Sequence, residues 1–488
     1  MNFITSTFFV FILLFFIFYY ITPKRCRYFV LLVGSYVFYG WGSPEALLIL
    51  LLTTAITYIG GFAIEKSGRD RRIFALFFTL NIFVLLFFKY TNFAITNLNK
   101  LALALNPGWK IIGLQNIMLP VGLSFYIFQS CSYLGDVYRR GIPAERNFFR
   151  YAAFVSFFPT ILSGPIQKSR ELLPQIKAPA DFEEERAIKG FILFVWGLFQ
   201  KIVVANSLAA IVNKVFNNYL SYQPDTPYYI VAAISFSLYI YADFSSYSDM
   251  ARGISKLLGI EIKRNFNNPY LSTSLSEFWT RWHVTLNEWF IENIYIPLGG
   301  NRKGTARKYL NTMIVFLISG LWHGASWHFA VWGVLNGVLS VIGQILRPLK
   351  KKFYEMIHVD ESTSSIVWIR RVIVFWLITL TWVFFRNDIH TSFIIIRRMI
   401  WFSPIRLFTP DILNICGSPV QTLLIIIATV IFCFVQYQRK DERGYYLRFK
   451  QQPVLIQCTC LAAVICVCVF VASSASTTLN TEFLYFQF

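Results

Sequence analysis

Two histidines bracket the stretch of this chain whose residue types best suit chemistry. It opens with Ser276-Glu277-Phe278-Trp279-Thr280-Arg281-Trp282-His283 and passes through Pro297-Leu298-Gly299-Gly300-Asn301-Arg302. It closes with Gly320-Leu321-Trp322-His323-Gly324 inside a long uncharged run. Between Lys308 and Arg347 there is no Asp, Glu, Lys or Arg, so His323 and His328 are the groups there that titrate near neutrality. A histidine at bilayer depth is costly unless it pairs or works, and its default reading is functional. Gly320 and Gly324 flank His323 by about one turn or less, letting another backbone or a ligand approach the imidazole. A buried imidazole that stays neutral can take a proton from a hydroxyl. No nucleophile elbow, Walker loop or dinucleotide fingerprint is present, so serine-hydrolase, phosphoryl and hydride chemistry lack their signatures. What fits is group transfer from a pre-activated donor to an alcohol, and spacing alone does not name the donor. Metal binding is not expected: the spacing of His323 and His328 points their rings apart, unlike a helical i, i+4 zinc pair.

The elements that must position these residues are membrane helices. With 56% hydrophobic, 18% aromatic and 14% charged residues in 488, the chain has more apolar surface than a soluble domain could bury. Apolar runs from Phe3 to Tyr20, Tyr28 to Tyr39, Ala46 to Ala63, Ile73 to Phe88, Ile117 to Tyr133, Phe191 to Val212, Tyr228 to Tyr241, Tyr309 to Leu346, Ile366 to Phe385, Pro419 to Val435 and Val454 to Val471 predict an all-α polytopic membrane protein. Roughly ten to thirteen membrane-embedded helices are expected, the shorter runs tilted, re-entrant or buried in the bundle. The first run has no basic residues before it and no small-residue cleavage site after it, and reads as a retained helix.

The net charge of +20 invites a nucleic-acid reading, but its placement opposes one. Lys24, Arg25 and Arg27 follow the first span, Lys66, Arg69, Arg71 and Arg72 the third, and Arg139, Arg140, Arg146 and Arg150 the fifth. That alternation is the positive-inside pattern, with these loops cytoplasmic and the N-terminus outside. Cys458, Cys460, Cys466 and Cys468 in one apolar span, with Cys131 and Cys433 in others, read as helix packing.

Several further segments look structural. Residues 1–95 form a membrane block with no embedded carboxylate, and nothing in it looks chemical. Ser124, Gln129 and Tyr133 do not share a strict face and read as inter-helix hydrogen bonds. The Phe157 to Ile166 run, broken by Pro159, Gly164 and Pro165, is either a cavity wall or a span terminus. Lys168 to Arg186 reads as interfacial amphipathic helix. Asp243 and Asp249 fall on different faces of a continuous helix, which favours capping or ion pairs to Arg252, Lys256, Arg264 or Arg281 over an acid/base couple. From Phe278 to Phe290 the apolar stripe predicts one amphipathic helix, with Trp279, His283 and Asn287 on its flank. Taken alone, His283 reads as a packed or interfacial histidine.

Leu119-Pro120-Val121-Gly122-Leu123-Ser124-Phe125, Phe158-Pro159 through Ser163-Gly164-Pro165-Ile166, Asp243-Phe244-Ser245 through Tyr247-Ser248-Asp249-Met250, Phe278 to His283, Ile296 to Arg302 and Gly320 to Trp327 together resemble the membrane-bound O-acyltransferase (MBOAT) family. Within it, the sequence is most similar to the bacterial alginate O-acetylation branch, including its Phe486-Gln487-Phe488 end. Ala242 and Ser246 stand where the family pattern has Phe and Gly, and His328 is an added histidine.

The resemblance implies a ring of helices around a membrane-crossing tunnel, with residues 96–346 as catalytic core between N-terminal (1–95) and C-terminal (347–488) membrane helices. It implies His323 as the catalytic residue and His283 as a second histidine lining the tunnel. Trp279, Arg281, Trp282, Asn287, Asn301, Arg302 and Trp322 are the candidate substrate-binding residues. Acetyl-CoA is the implied donor substrate, with no tightly bound cofactor, and its phosphates would meet basic loops such as Arg302 to Lys308. The implied acceptor is an exported polysaccharide, reached through a periplasmic lipase/esterase-like partner at a bacterial inner membrane. Two other readings stay open: D-alanyl transfer to teichoic acid from a carrier-protein thioester, and a transporter or glycan exporter using the histidines as proton relays.

Overall fold

The computed structural model describes residues 1–221, 226–400, 412, 415–439, 442–474 and 483–484. Of the C-terminal motif Phe486-Gln487-Phe488, nothing falls within them. Among the described residues the regular structure is helical: α1 (Ser6–Ile21), α2 (Arg27–Gly40), α3 (Pro44–Lys66), α4 (Arg71–Leu105), α5 (Leu123–Arg140), α6 (Phe148–Val155), α7 (Phe158–Ile161), α8 (Ser169–Lys177), α9 (Glu184–Phe199), α10 (Asn206–Phe216) and α11 (Thr226–Leu257). After these come α12 (Leu275–Arg281), α13 (Val284–Phe290), α14 (Thr305–His323), α15 (Trp327–Ile345), α16 (Arg347–Met356), α17 (Ser364–Arg386), α18 (Ile389–Ile400), α19 (Pro419–Gln438), α20 (Glu442–Lys450) and α21 (Val454–Ser474). Eight helical stretches among the described residues are long and apolar enough to cross a membrane. Others that the sequence marked as apolar, such as Ser6–Ile21, are shorter.

The chain is a multi-pass membrane protein whose polar loops meet as the charge pattern predicts. Lys24 pairs with Asp181 at 2.6 Å, Arg146 with Glu65 at 2.9 Å, and Arg69 donates to the Gly141 carbonyl at 3.2 Å. Lys177, just before Asp181 in sequence, pairs with Glu145 at 2.6 Å, which brings the loops after the first, third and fifth apolar runs to one side.

The interrupted segment after α6 lies inside the protein: every residue from 151 to 168 is buried. Irregular backbone survives at that depth only when protein satisfies its polar groups. Gln129 of α5 does so at two points, donating to the Phe154 carbonyl at 2.5 Å and accepting from the Gln167 N–H at 3.3 Å. Gly122, at φ +80°, begins α5 where a side chain could not fit, since a Cβ there would lie 2.3 Å from the Ile161 carbonyl oxygen.

Asp243 and Asp249 take separate partners, as their spacing predicted, but the sequence named most of those partners wrongly. Lys201, on a π-helical turn (Gln200–Ala205) after α9, meets Asp243 at 2.7 Å with both side chains 1% exposed. Asp243 also accepts from the Leu484 N–H at 2.8 Å. Asp249 receives two bonds from Arg439, at 2.6 and 3.0 Å, and one from Gln200 at 2.9 Å. Of the expected partners, Arg252 stands 3.6 Å from Asp249. The stronger ones come from other helices, which local spacing does not reveal.

Candidate active site

His283 and His323 converge on one indole. Their ring centroids lie 6.0 and 4.8 Å from that of Trp322, with interplanar angles of 74° and 73°. Both histidines are buried, at 3% and 6% exposure. Phe244 sits 4.7 Å from the His283 ring, while Trp332 and Phe385 lie 5.2 and 5.1 Å from that of His323. Behind Trp322, Phe128 stacks on it at 5.6 Å and on Trp289 at 3.7 Å. Edge-to-face and offset contacts of this kind each add roughly 0.5–1.5 kcal/mol beyond area burial, and they fix ring orientation.

The expected continuous helix from Phe278 to Phe290 is corrected by the structure. α12 ends at Arg281, α13 begins at Val284, and His283 between them adopts φ +47°, ψ +53°. A residue with a side chain held in that left-handed region costs on the order of 1–3 kcal/mol and persists only where its surroundings over-determine it. Here a neighbouring segment does so. The Asn267 N–H donates to the Arg281 carbonyl and the Val284 N–H to the Asn265 carbonyl, each at 2.9 Å. The Asn265 side-chain oxygen accepts from the Thr285 N–H and hydroxyl at 3.2 and 3.0 Å. The break turns His283 toward Trp322, while Trp279 packs against Phe316 and Trp332 at 5.5 and 5.6 Å. Asn287 stays one turn into α13, where its N–H donates to the His283 carbonyl at 3.0 Å.

His323 is the last residue of α14, and that end is held from two sides. At Gly320 an added Cβ would lie 2.3 Å from the Phe329 carbonyl oxygen and 3.1 Å from Gly333 Cα, so α14 and α15 touch backbone to backbone there. On the other side, Lys89 Nζ of α4 donates to the carbonyls of Trp322 and His323 at 2.5 and 3.0 Å, and the Tyr90 hydroxyl donates to that of Leu321. Sequence reasoning missed both residues. The apolar run in the sequence ends at Phe88 and nothing in residues 1–95 looks chemical there, whereas α4 continues unbroken through Lys89 to Leu105. The available signal was the lack of any helix breaker between Lys89 and Asn106.

Not all candidate binding residues gather at the histidines. Arg281 pairs with Glu277 of its own helix at 2.5 Å. Trp282 is buried against Trp382 and Phe266, each at 5.0 Å. Asn301 and Arg302 are exposed in the turn before α14, so the helix separates them from His323 by about 27 Å at 1.5 Å per residue. His328 turns away, its Nδ1 3.0 Å from the Phe384 carbonyl oxygen. Among the seven candidate residues, Trp322 is the one whose ring meets those of both histidines.

A half-buried ion network lies along α13 and the π-helical turn (Ile291–Tyr295) that continues it. Lys168 bridges Glu288 and Glu292 at 2.7 and 2.9 Å, and Arg170 bridges Asp136 and Glu292 at 2.6 and 3.2 Å. Lys263 joins Glu288 to Glu171 at 2.9 and 3.0 Å. Burial alone would raise the Glu292 carboxyl, but the hydrogen bond and charge of Lys168, with Arg170, outweigh it and hold the group below its ordinary value. Glu288 is depressed in the same way, burial being outweighed by Lys168 and Lys263.

Residues 139–387, which contain both histidines, match the family described as MBOAT, membrane-bound O-acyltransferase family. The chain belongs to that family. As an MBOAT protein it is an acyltransferase, and the motif resemblance read from its sequence is borne out. The chain is 37% identical over 384 residues to the probable alginate O-acetylase AlgI of Azotobacter vinelandii, covering 78% of this chain and 74% of the relative. It is 34% identical to the protein of the same description from Pseudomonas aeruginosa, covering 87% and 79%. The peptidoglycan O-acetyltransferase of Helicobacter pylori is 29% identical over 94% of this MBOAT chain and 91% of its own.

Proposed function

We propose that this chain moves acetyl groups from cytosolic acetyl-CoA toward hydroxyls of an exported cell-surface polysaccharide. The observation that carries the reading is the convergence of His283 and His323 on Trp322 in a buried aromatic site. The polysaccharide acceptor is supported by the names of the alginate and peptidoglycan relatives. The His323 imidazole takes the proton of the acceptor hydroxyl as its oxygen attacks the thioester carbonyl. Collapse of the tetrahedral adduct breaks the carbon–sulfur bond, and the departing thiolate recovers that proton from the imidazolium. An O-acetyl ester and free CoA result. The aromatic wall excludes water, which disfavours hydrolysis of the thioester in place of transfer.

Access from the cytosol is supported by the ion network on α13. Glu288 stands about 7.5 Å along that helix from His283, far less than the roughly 30 Å of a hydrocarbon core. Charged, partly exposed groups thus approach the histidines from the side that the basic loops assign to the cytoplasm. Arg302 and Asn301 are too far to touch the reacting end and suit the nucleotide end of the donor. Placement in a bacterial cytoplasmic membrane, with a periplasmic lipase/esterase-like recipient, completes the reading.

Proteoliposomes given radiolabelled acetyl-CoA test it. His323→Ala is expected to abolish thioester cleavage while the protein still inserts and folds. Full residual transfer in that variant rejects the assignment, and substrate movement without cleavage favours a transporter.

A further inference from the structure

We infer that Lys89 is a positioning residue for the acyl transfer proposed above, a cation supplied by the N-terminal block that locks the last turn of α14 and so the aim of His323. A helix leaves its final carbonyls without intrahelical donors. Many helices close that end with a left-handed glycine, but Gly324 here is extended, at φ −165° and ψ 151°, so that device is absent. The donors come instead from α4, with Lys89 on the Trp322 and His323 carbonyls and Tyr90 on that of Leu321. These are the carbonyls of the histidine itself and of the two residues before it. Charge-assisted bonds are the stronger kind, and a cation also matches the negative end of the helix dipole.

The choice of a lysine is informative. A neutral amide or hydroxyl could cap the same carbonyls at a smaller desolvation cost, and an ionisable group at membrane depth marks function by default. No Asp or Glu occurs between Asp70 and Asp136, so the local sequence offers Lys89 no counter-ion. Its ammonium bonds to carbonyl oxygens and lies 5.9 Å from the centre of the Trp322 ring, the ring both histidines meet. Lys89 thus braces the catalytic histidine through its backbone and its neighbouring indole at once. It touches neither donor nor acceptor in this role.

The test uses the full chain in proteoliposomes with acetyl-CoA, comparing Lys89→Met, Lys89→Arg and Tyr90→Phe with His323→Ala. Lys89→Met is expected to lower kcat roughly 10- to 100-fold, the scale of a small misplacement of a catalytic group, with KM for acetyl-CoA within about twofold. Lys89→Arg is expected to restore most of the rate, because it keeps the charge and the donors. A second readout needs no substrate: diethyl pyrocarbonate modification, followed site by site by mass spectrometry. In Lys89→Met, His323 is expected to react faster than in the wild type while His283 does not. An unchanged kcat, or equal changes at both histidines, overturns the inference, as does a loss of rate that Lys89→Arg fails to restore. If Lys89→Met does not fold, Tyr90→Phe carries the same comparison on the Leu321 carbonyl. Failure of the donor assignment is distinguishable, because a wild type inert toward acetyl-CoA still gives a modification pattern that supports or refutes the brace.

Discussion

Gly320→Ala is the most direct probe of how tightly the site is set. The new methyl would lie 2.3 Å from the Phe329 carbonyl oxygen, where ordinary contact begins at 3.4 Å, so α14 and α15 must part by about 1 Å (3.4 − 2.3). The obstacles are backbone atoms on both counts, the second being Gly333 Cα at 3.1 Å, so no side-chain rotation relieves the clash. Overpacking of this kind costs about 1–3 kcal/mol of stability. His323 lies less than one turn beyond Gly320, and a displacement of that size in a catalytic group costs roughly 100-fold in rate. Thioester cleavage and thermal unfolding would be measured on Gly320→Ala and on Gly343→Ala. The latter lies on α15 with nothing within 4 Å of the added methyl. It should leave activity intact and be neutral or stabilising by up to about 1 kcal/mol. A Gly320→Ala protein with wild-type rate refutes the claim that backbone contact between α14 and α15 aims the imidazole.

Other outcomes follow from the same geometry. His283→Gly relieves the left-handed backbone and should be the more stable of the pair with His283→Ala, by up to about 1 kcal/mol, though both should lose acetyl transfer. A fully active His283→Gly would reduce that imidazole to packing. Asp249→Ala removes two bonds from the buried Arg439 guanidinium and one from Gln200, and should destabilise the fold by about 3–5 kcal/mol in thermal or denaturant unfolding; a loss below about 1 kcal/mol would contradict the pairing. Because the folded Glu288 and Glu292 carboxyls lie below their ordinary value, their contribution is present above that value and lost as pH falls through the lower, folded one. Melting temperature should therefore drop below about pH 4.3, and Glu292→Gln should flatten the drop; an identical acid limb in that variant would show that the network does not control it.

Much of the fold was legible because the bilayer admits few alternatives. Apolar runs announced helices, and basic loops announced sides that the Lys24–Asp181 and Arg146–Glu65 pairs then respect. The two histidines stood out because so little else in their stretch titrates. What stayed hidden was set by contacts between distant segments. Helical periodicity carried the stripe straight through His283, and only the Asn265 to Asn267 segment, pairing alongside, breaks the helix there. Lys89 falls just past the apolar run that ends at Phe88, and a span's end in sequence says nothing about how far its helix runs on. Arg439 and Lys201 could not be matched to Asp249 and Asp243 by spacing, since the shared register belongs to the folded bundle.

The brace on α14 bears on any attempt to move this chemistry between proteins. The family match begins at Arg139, although the Leu119 to Phe125 motif precedes it, so a chimera cut at that border would inherit both histidines and leave behind Lys89, Tyr90 and Phe125, whose ring lies 5.7 Å from that of Trp322. The recipient's own N-terminal helices would have to supply an equivalent clasp. Compatibility of donor and host at that seam, rather than the identity of the transplanted motif, would then decide whether a hybrid enzyme turns over.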